Sequence, residues 1–388
     1  MSRRPTSSTL DLLRQIIEFD TVSRHSNLAM IEWIREYLGR YGIESTLIFD
    51  ATGKKANLYA TIGSPDRPGL LLSGHTDVVP VDGQNWSTDP FELVEKDGRL
   101  FGRGTSDMKS FLAVVLAQVP AFASATSSTP INLAFTYDEE VGCQGAPSLL
   151  EHIASLPTRP RYCVIGEPTN MKVITAHKGN KRYRCEVHGH ESHSALAHRG
   201  VNAVEIAADL VYRLRTMARQ RAEFGPFDRD FDPPYTTIHT GTIHGGTAMN
   251  IVPKDCVFEF EFRYIPGDDP LKYLALLKEQ AVLLEKEMTG VSTDARIDFV
   301  FKSQYPALST EESAEVTSVA KSLSGSNATG KISFGTEGGL FQEAGLPTVI
   351  CGPGSIEQAH KPDEWITLDQ IALCEEFMQR LVNRLQAA

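Results

Sequence analysis

The chain lacks any run of about 18 apolar residues, which is the length that a membrane-spanning helix requires. The first nine residues include Arg3 and Arg4, but no apolar stretch of the kind found in signal peptides follows them. From Leu10 to Phe19, apolar and charged residues recur with the spacing of an amphipathic helix instead. We therefore expect a cytoplasmic protein that neither crosses nor binds a membrane.

Positive charge is also scarce. The 388 residues carry 38 lysines and arginines against 49 aspartates and glutamates, which gives a formal net charge of -11. Binding to nucleic acid depends on basic patches, so this balance argues against such a partner. One predicted helix carries a cluster of arginines, but no aromatic residues alternate with them, and a solvated helix face explains the cluster better. These are Arg213, Arg215, Arg219 and Arg221.

Cysteine motifs are missing as well. The 6 cysteines are widely spaced and none forms a Cys-x-x-Cys pair, which argues against a cysteine zinc site and a disulfide framework. We expect buried free thiols at positions 143, 163, 185, 256, 351 and 374. Gly102–Gly104 is too short for a dinucleotide loop, and no Gly-Lys-Ser or Gly-Lys-Thr follows it.

The sequence does contain the elements of a two-domain α/β protein. Its length, with 41% hydrophobic and 22% charged residues, suits two globular domains. Apolar runs at 69–74, 131–136 and 161–166 fit buried strands, and segments of helical spacing lie between them. This alternation predicts a mostly parallel sheet with helices on both faces.

The pattern changes near Lys178. From there to about Pro306, strands and helices follow in the order βαββαβ, which predicts a two-layer, ferredoxin-like α+β domain with an antiparallel sheet. After Pro306 the α/β pattern resumes. We therefore predict one domain made of residues 1–177 and 307–388, into which a second domain of residues 178–306 is inserted.

Five segments rich in His, Asp and Glu mostly follow predicted strands or begin loops, where open α/β sheets bind their ligands. They are Gly-His-Thr-Asp at 74–77, Gly-Thr-Ser-Asp-Met-Lys at 104–109, Asp-Glu-Glu at 138–140, Gly-Glu-Pro-Thr at 166–169 and Gln-Ala-His-Lys-Pro at 358–362. Each has an ordinary alternative as a surface turn, a pair of solvated charges or a helix start. Their recurrence at strand ends favours a metal site.

Two of these segments also indicate the chemistry. His75 and Asp77 are two residues apart, so on an extended segment they point to the same side. Glu139 and Glu140 are adjacent and point in opposite directions, so one can bind metal while the other faces a water or a substrate. That division suits hydrolysis, which needs both a Lewis acid and a base.

Taken together and in order, the five segments resemble the dinuclear-zinc family of acetylornithine deacetylase, succinyl-diaminopimelate desuccinylase, aminoacylase and carboxypeptidase G. The resemblance runs from about Leu70 to Trp365. It implies a zinc-aminopeptidase-like catalytic domain with an inserted dimerisation domain, and hence a homodimer formed through residues 178–306. It also implies two bound divalent metal ions, with Zn²⁺ expected and Co²⁺ or Mn²⁺ as alternatives.

The resemblance also implies a role for each matched residue. The expected metal ligands are a bridging Asp107, His75 and Glu167 on one ion, and Glu140 and His360 on the other. Asp77 is expected to orient His75, and Glu139 to act as the general base. The family has a cis peptide bond after the bridging aspartate, which here is Asp107-Met108.

Three residues of the inserted domain also match family positions. His193 is expected to reach across the dimer and stabilise the oxyanion, although it could be an ordinary loop histidine. Asn250 and Arg263 are expected to hold the substrate carboxylate, for which the arginine fork is well suited. A structural ion pair is the alternative for Arg263.

Within the family, the segments 176–179, 199–203 and 352–360 are most similar to the deacetylases of N-acetylornithine. Leu340 replaces an arginine of the desuccinylases, which weakens the case for a dianionic acyl group, and Glu337 is a candidate partner for a cationic side chain. The expected substrate is a small N-acyl amino acid, N2-acetyl-L-ornithine, cleaved to L-ornithine and acetate. The alternatives are N-acetylcitrulline, a broader aminoacylase, carboxypeptidase or desuccinylase activity, and a catalytically silent binding or scaffold protein.

Overall fold

The computed structural model describes residues 3–125 and 129–387. They form two compact units: the first is Met1–Ala176, Leu308–Lys331 and Thr336–Ala388, and the second is His177–Ala307 with Ile332–Gly335. The sequence places the corresponding boundaries at 177/178 and 306/307, and it does not anticipate that a short segment near residue 333 joins the second unit. None of the helices in the described residues combines the length and the apolar sequence that crossing a membrane requires.

The secondary-structure elements follow in chain order. The helices are α1 (Ser7–Ile17), α2 (Leu28–Gly39), α3 (Lys109–Ala125), α4 (Ala146–Ser155), α5 (Ala203–Phe224), α6 (Pro270–Thr289), α7 (Glu315–Ser324), α8 (Gly338–Glu343) and α9 (Leu368–Ala387), with a 3₁₀ turn at Ser194–Arg199. The strands are β1 (Ser45–Phe49), β2 (Ala56–Ile62), β3 (Leu70–His75), β4 (Val94–Lys96), β5 (Arg99–Phe101), β6 (Ile131–Thr136), β7 (Tyr162–Pro168), β8 (Val173–His177), β9 (Gly179–His188), β10 (Thr237–Gly245), β11 (Asp255–Tyr264), β12 (Arg296–Tyr305), β13 (Leu308–Ser309), β14 (Thr329–Ile332), β15 (Thr348–Gly352) and β16 (Trp365–Thr367).

The main sheet of the first unit runs β1-β2-β6-β3-β7-β15-β8-β13, with β14 beside β8. Its centre is parallel, because β3 pairs in parallel with β6 and β7, and β15 pairs in parallel with β7. The flanking pairs β1–β2, β2–β6 and β15–β8 are antiparallel. The sheet is therefore mixed with a parallel centre, and the predicted α/β class is confirmed.

A tight turn explains one of the antiparallel edges. Asp50 Oδ1 accepts the backbone N–H groups of Lys54 and Lys55 at 2.8 and 2.9 Å, which closes the connection between β1 and β2. Strands joined by so short a loop can pair only in the antiparallel sense. The sequence predicted neither strand. Strand β1 is only partly buried, so its burial shows no strict alternation, whereas β2 is buried along nearly its whole length.

Helix α3 forms the centre of the first unit's core. All of its residues from Lys109 to Leu116 are buried, so this part of the helix is enclosed around its whole circumference rather than along one face. Helices α1 and α9 pack against it, and α7 packs on α9. This packing fixes the N-terminus of α3, immediately after Asp107, and thereby places one predicted ligand.

The second unit contains a four-stranded antiparallel sheet in the order β10-β11-β9-β12. Strand β11 alternates as predicted, since Cys256, Phe258, Phe260 and Phe262 are buried while the residues between them are only partly buried. The buried side packs on α5 and α6 in a separate hydrophobic cluster. The βαββαβ order and the layer arrangement agree with the sequence prediction.

All 6 cysteines of the chain are buried and unpaired, as expected.

The close approach of β15 to β7 makes a stability prediction. A Cβ at Gly352 would lie 1.9 Å from the backbone oxygen of Gly166, and neither backbone can move without disturbing the sheet. Gly352→Ala should therefore lower the free energy of unfolding by about 1–3 kcal/mol. Urea denaturation of both proteins measures the change.

The matched control is Gly39→Ala at the end of α2, where an added Cβ meets no atom within 4 Å. This variant should unfold at the wild-type urea concentration or slightly above it, because alanine favours the helix. Equal midpoints for Gly352→Ala and Gly39→Ala would contradict the packing argument.

Candidate metal centre

Most of the predicted ligands lie where the central strands end. His75 is the last residue of β3, Glu140 follows β6, Glu167 lies near the end of β7, and His360 is in the loop after β15. Since these four strands are neighbours with parallel pairing, their carboxyl ends meet at one edge of the sheet. Asp107 comes from another direction, just before the N-terminus of α3, where the helix dipole favours a negative charge.

Short distances connect the five residues. His75 Nε2 lies 3.0 Å from Asp107 Oδ1 and 3.5 Å from Glu167 Oε1. His360 Nε2 lies 3.1 Å from Glu140 Oε2 and 3.4 Å from Asp107 Oδ2. Asp107 thus presents one oxygen to each histidine, which is the arrangement expected of a bridging ligand. The Asp107-Met108 peptide bond is cis, as the resemblance implied.

Among the residues that the structure describes, two sets of His, Asp and Glu side chains have ligand atoms that all lie within 4.8 Å of one another. One set is His75, Asp107 and Glu140, and the other is His75, Glu139 and Glu167. Glu139, the predicted general base, therefore lies in the same group of side chains as the predicted ligands His75 and Glu167. The structure brings all five predicted ligands and the predicted base into one cluster.

Asp77 is close to His75, but its carboxylate contacts other groups more closely. His75 Nδ1 lies 2.8 Å from the backbone oxygen of Asp77 and 3.7 Å from its carboxylate. The carboxylate accepts the backbone N–H groups of Glu139 and Glu140 at 3.0 and 3.2 Å, and the hydroxyl of Ser23 at 2.7 Å. Asp77 therefore orients the histidine through its main chain and fixes the Glu139-Glu140 turn through its side chain.

Burial and mutual repulsion shape the electrostatics of the cluster. Burial raises the pKa of Glu139 and Glu167 well above their usual range, and it raises that of Glu140 to about 7, with repulsion from Asp107 adding to the rise of Glu140. Hydrogen bonds to Asp107 and Glu140 raise the pKa of His360 to about 10. Asp107 is the exception among the carboxylates, because hydrogen bonds with His360 and His75 hold its pKa below its usual range in spite of burial. The three glutamates and His360 thus hold protons more strongly than free side chains do.

The excess of carboxylates over imidazoles in the cluster fits a site for cations. Glu140 Oε1 is buried and has no hydrogen-bond partner, so an acceptor within the cluster is left for another ligand. Buried carboxylates at this density need a compensating positive charge, which divalent metal ions supply. The donors are only carboxylate oxygens and imidazole nitrogens, a set that Zn²⁺, Co²⁺ and Mn²⁺ all accept.

Two residues near the cluster were not predicted from the sequence. Cys143 Sγ lies 3.6 Å from Glu139 Oε1, and burial raises the pKa of this thiol well above its usual range, so it is a neutral donor. Glu364 accepts the backbone N–H of Asp107 at 3.1 Å. Cys143 follows the predicted base Glu139 by four positions, and Glu364 follows the predicted ligand His360 by four positions. This spacing is the only signal of the two residues that the sequence offers.

Glu337 is buried with 1% of its surface exposed. Burial raises its pKa to about 7, while attraction to His75 and a hydrogen bond with Thr136 oppose the rise, and its Oε1 atom has no hydrogen-bond partner. It repels Glu139, whose pKa it raises further. Contact with the cation of a substrate stays a prediction for Glu337, and its burial does not favour that role.

His193 and Asn250 lie together at one end of the second unit. His193 caps the 3₁₀ turn, since its Nδ1 accepts the backbone N–H of Ala195 at 3.1 Å. The backbone oxygen of Asn250 accepts the N–H of Ser194 at 3.0 Å, and both His193 and Asn250 are exposed.

Arg263 lies at the other end of the same sheet. Its Nε donates to Glu261 Oε1 at 2.6 Å and its Nη1 donates to the hydroxyl of Tyr305 at 3.3 Å. Asp255, at the His193 end of β11, and Arg263 are eight residues apart, or about 26 Å at the rise of an extended strand. Within one copy of the second unit, Arg263 is therefore far from His193 and Asn250.

Comparisons with known proteins support an assignment to a family. A protein named acetylornithine deacetylase from Pasteurella multocida is 34% identical over 385 residues, which cover 98% of this chain and 94% of that relative. The fold is similar to that of a tripeptidase from Staphylococcus aureus, with a TM-score of 0.78 and 20% identity over 99% of this chain and 100% of that one.

A dinuclear metal-binding peptidase from Bacillus subtilis is also similar in fold, with a TM-score of 0.65 and 16% identity over 98% of each chain. The family model described as peptidase family M20/M25/M40 matches residues 71–384. Since that match covers most of the sequence, this chain belongs to peptidase family M20/M25/M40 and is a metal-dependent hydrolase.

Proposed function

We propose that this chain removes the acetyl group from N2-acetyl-L-ornithine with water, giving L-ornithine and acetate. The observation that carries the proposal is the buried cluster of carboxylates and imidazoles with Glu139 beside it, because amide hydrolysis needs a Lewis acid and a base at one place. The choice of substrate rests on the curated relatives, which are named acetylornithine deacetylase.

The cluster would hold two divalent metal ions, with Zn²⁺ first and Co²⁺ or Mn²⁺ as alternatives. Asp107 would bridge them, His75 and Glu167 would complete one ligand set, and Glu140 and His360 the other. When bound, the ions supply a Lewis acid for the amide carbonyl and lower the pKa of a bound water.

Glu139 is the proposed general base. Its backbone N–H is fixed by Asp77 and its carboxylate is steadied by the Cys143 thiol, so the oxygen that accepts a proton is held in place. A raised pKa suits a base that must first take a proton and then return it. The carboxylate takes a proton from the attacking water, a C–O bond forms, and the C–N bond breaks as the same proton passes to the leaving α-nitrogen.

His193 is the proposed oxyanion donor. Because its Nδ1 accepts a backbone N–H, the neutral imidazole carries its proton on Nε2 and can donate it outward. An N-acetyl amino acid is far shorter than the roughly 26 Å between the two ends of β11. If His193, Asn250 and Arg263 all serve one substrate, they must come from two copies of the chain, so we propose a homodimer formed through the second unit.

A substrate panel tests the proposed function. We compare N2-acetyl-L-ornithine, N-acetylcitrulline, N-acetylmethionine and N-succinyl-diaminopimelate, and kcat/KM for release of the acyl group should be highest for N2-acetyl-L-ornithine, as the names of the relatives suggest. The succinyl substrate should be poor, because Leu340 replaces the arginine of the desuccinylases. A chelator should abolish release, and Zn²⁺ or Co²⁺ should restore it. A higher kcat/KM for another substrate would replace ornithine in the proposal. No release from any of them would refute the proposed deacetylation and leave the carboxypeptidase alternative or a binding or scaffold role.

The role of Glu139 predicts a selective loss. Glu139→Ala should lower kcat by about 10²–10⁴-fold, because the proton acceptor is gone. Metal content, measured by elemental analysis after dialysis, should stay at the wild-type level. Glu151→Gln on the exposed side of α4 is the control and should be fully active. Near-normal turnover of Glu139→Ala would refute the assignment.

Sharing of sites between two copies predicts complementation. Glu139→Ala and His193→Ala homodimers should both be nearly inactive, but a mixed dimer contains one site with both residues intact. Equal co-expression should therefore restore about a quarter of wild-type activity, since half of randomly formed dimers are mixed. Activity that stays at the level of the two separate variants would show that His193 acts within its own chain or not at all.

A further inference from the structure

Glu364 occupies the centre of a hydrogen-bond network beside the metal cluster. It has 1% of its surface exposed and belongs to neither set of grouped ligand atoms. Its Oε1 accepts the backbone N–H groups of Ser106 and Asp107 at 2.8 and 3.1 Å. Its Oε2 accepts the N–H of Gly104 at 3.1 Å and Arg103 Nη1 at 2.7 Å. The carboxylate therefore holds the whole turn that carries the proposed bridging ligand.

Arg103 extends the same network to the loop that carries His360. Its guanidinium is buried, with Nη1 also donating to the backbone oxygen of Lys361 at 3.3 Å and Nη2 to Gln84 Oε1 at 2.6 Å. Gln84 Nε2 in turn donates to the backbone oxygen of His360 at 3.0 Å. The guanidinium lies over the ring of Trp86, 5.0 Å from its centroid, which further restricts its orientation.

The network matters because His360 has little support of its own. Its backbone has a φ of 63°, and 51% of its side chain is exposed. The loop is linked to the network at two points, because the backbone carbonyl of His360 accepts from Gln84 and that of Lys361 accepts from Arg103. The Nε2 atom of His360 still lies 3.4 Å from Asp107 Oδ2, so two loops far apart in sequence must be fixed relative to each other. Glu364 and Arg103 contact both loops.

We propose that Glu364 and Arg103 are positioning residues that set the spacing between Asp107 and His360. They thereby determine how tightly the metal ion on the His360 side is held. This inference rests on the proposed metal centre and adds to it a pair of residues that touch neither metal nor substrate. Groups that orient metal ligands typically change metal affinity by about 10–100-fold when they are replaced.

The test is Co²⁺ titration of metal-free protein, followed by absorption spectroscopy and calorimetry, which together resolve two binding equivalents. The signal that His360→Ala loses identifies the equivalent on the His360 side. Glu364→Gln should weaken that equivalent by about 10–100-fold and the other equivalent by a smaller factor, because Asp107 is proposed to serve both ions whereas His360 serves one. Gln84→Leu removes the link to the backbone of His360, together with the acceptor of Arg103 Nη2 and Trp86 Nε1, but leaves Glu364 and its contacts with the Asp107 turn in place. It should weaken the same equivalent by a smaller factor, and it keeps the test available if Glu364→Gln does not fold.

Glu375→Gln is the matched control, since Glu375 also accepts a backbone N–H and two hydroxyls, those of Thr6 and Thr9, and touches none of the proposed ligands. Its cobalt titration should match wild type even if its thermal midpoint falls. Unchanged cobalt affinity in Glu364→Gln and Gln84→Leu, or equal losses at both equivalents, would overturn the inference. Failure of wild-type protein to bind cobalt would instead overturn the metal centre itself.

Discussion

Mutual repulsion among buried carboxylates is the constraint on which the first unit's site depends. Asp107, Glu139, Glu140 and Glu167 lie so close together that burial and repulsion raise the pKa of the three glutamates. No arrangement of this kind is favourable unless cations or protons neutralise it. The rest of the unit, from the parallel strands to the buried α3, holds these groups together in spite of that cost.

Rigidity at the site comes from two carboxylates that are themselves outside the proposed ligand set. Asp77 accepts the N–H groups of the Glu139-Glu140 turn, and Glu364 accepts those of the turn before α3. Each uses a buried negative charge to fix backbone rather than to bind metal. Charge-assisted hydrogen bonds are stronger than neutral ones, so both turns are fixed more firmly than loop sequences of ordinary composition would be.

The parts of the fold that the sequence predicted are those with strong local periodicity. Strands β3, β6 and β7 were located because their apolar runs are continuous, and the ligands were located because they follow such runs. The short strands β4, β5 and β16 were missed, since a strand of three residues shows no period. The contact of Glu364 with Asp107 joins residues 257 positions apart, and no local pattern encodes it.

Two alternatives were predicted for Arg263, a structural ion pair and the binding of a substrate carboxylate, and the contacts of this residue are compatible with both. Its ion pair with Glu261 runs through Nε at 2.6 Å, whereas the approach of Nη2 to the same carboxylate is 3.5 Å. The Nη edge is therefore only weakly engaged, by Glu261 and by Tyr305 at 3.3 Å. An arginine fixed through Nε keeps a pair of parallel N–H groups oriented for a second carboxylate. The ion pair in the structure is thus compatible with the proposed binding of a substrate carboxylate and does not compete with it.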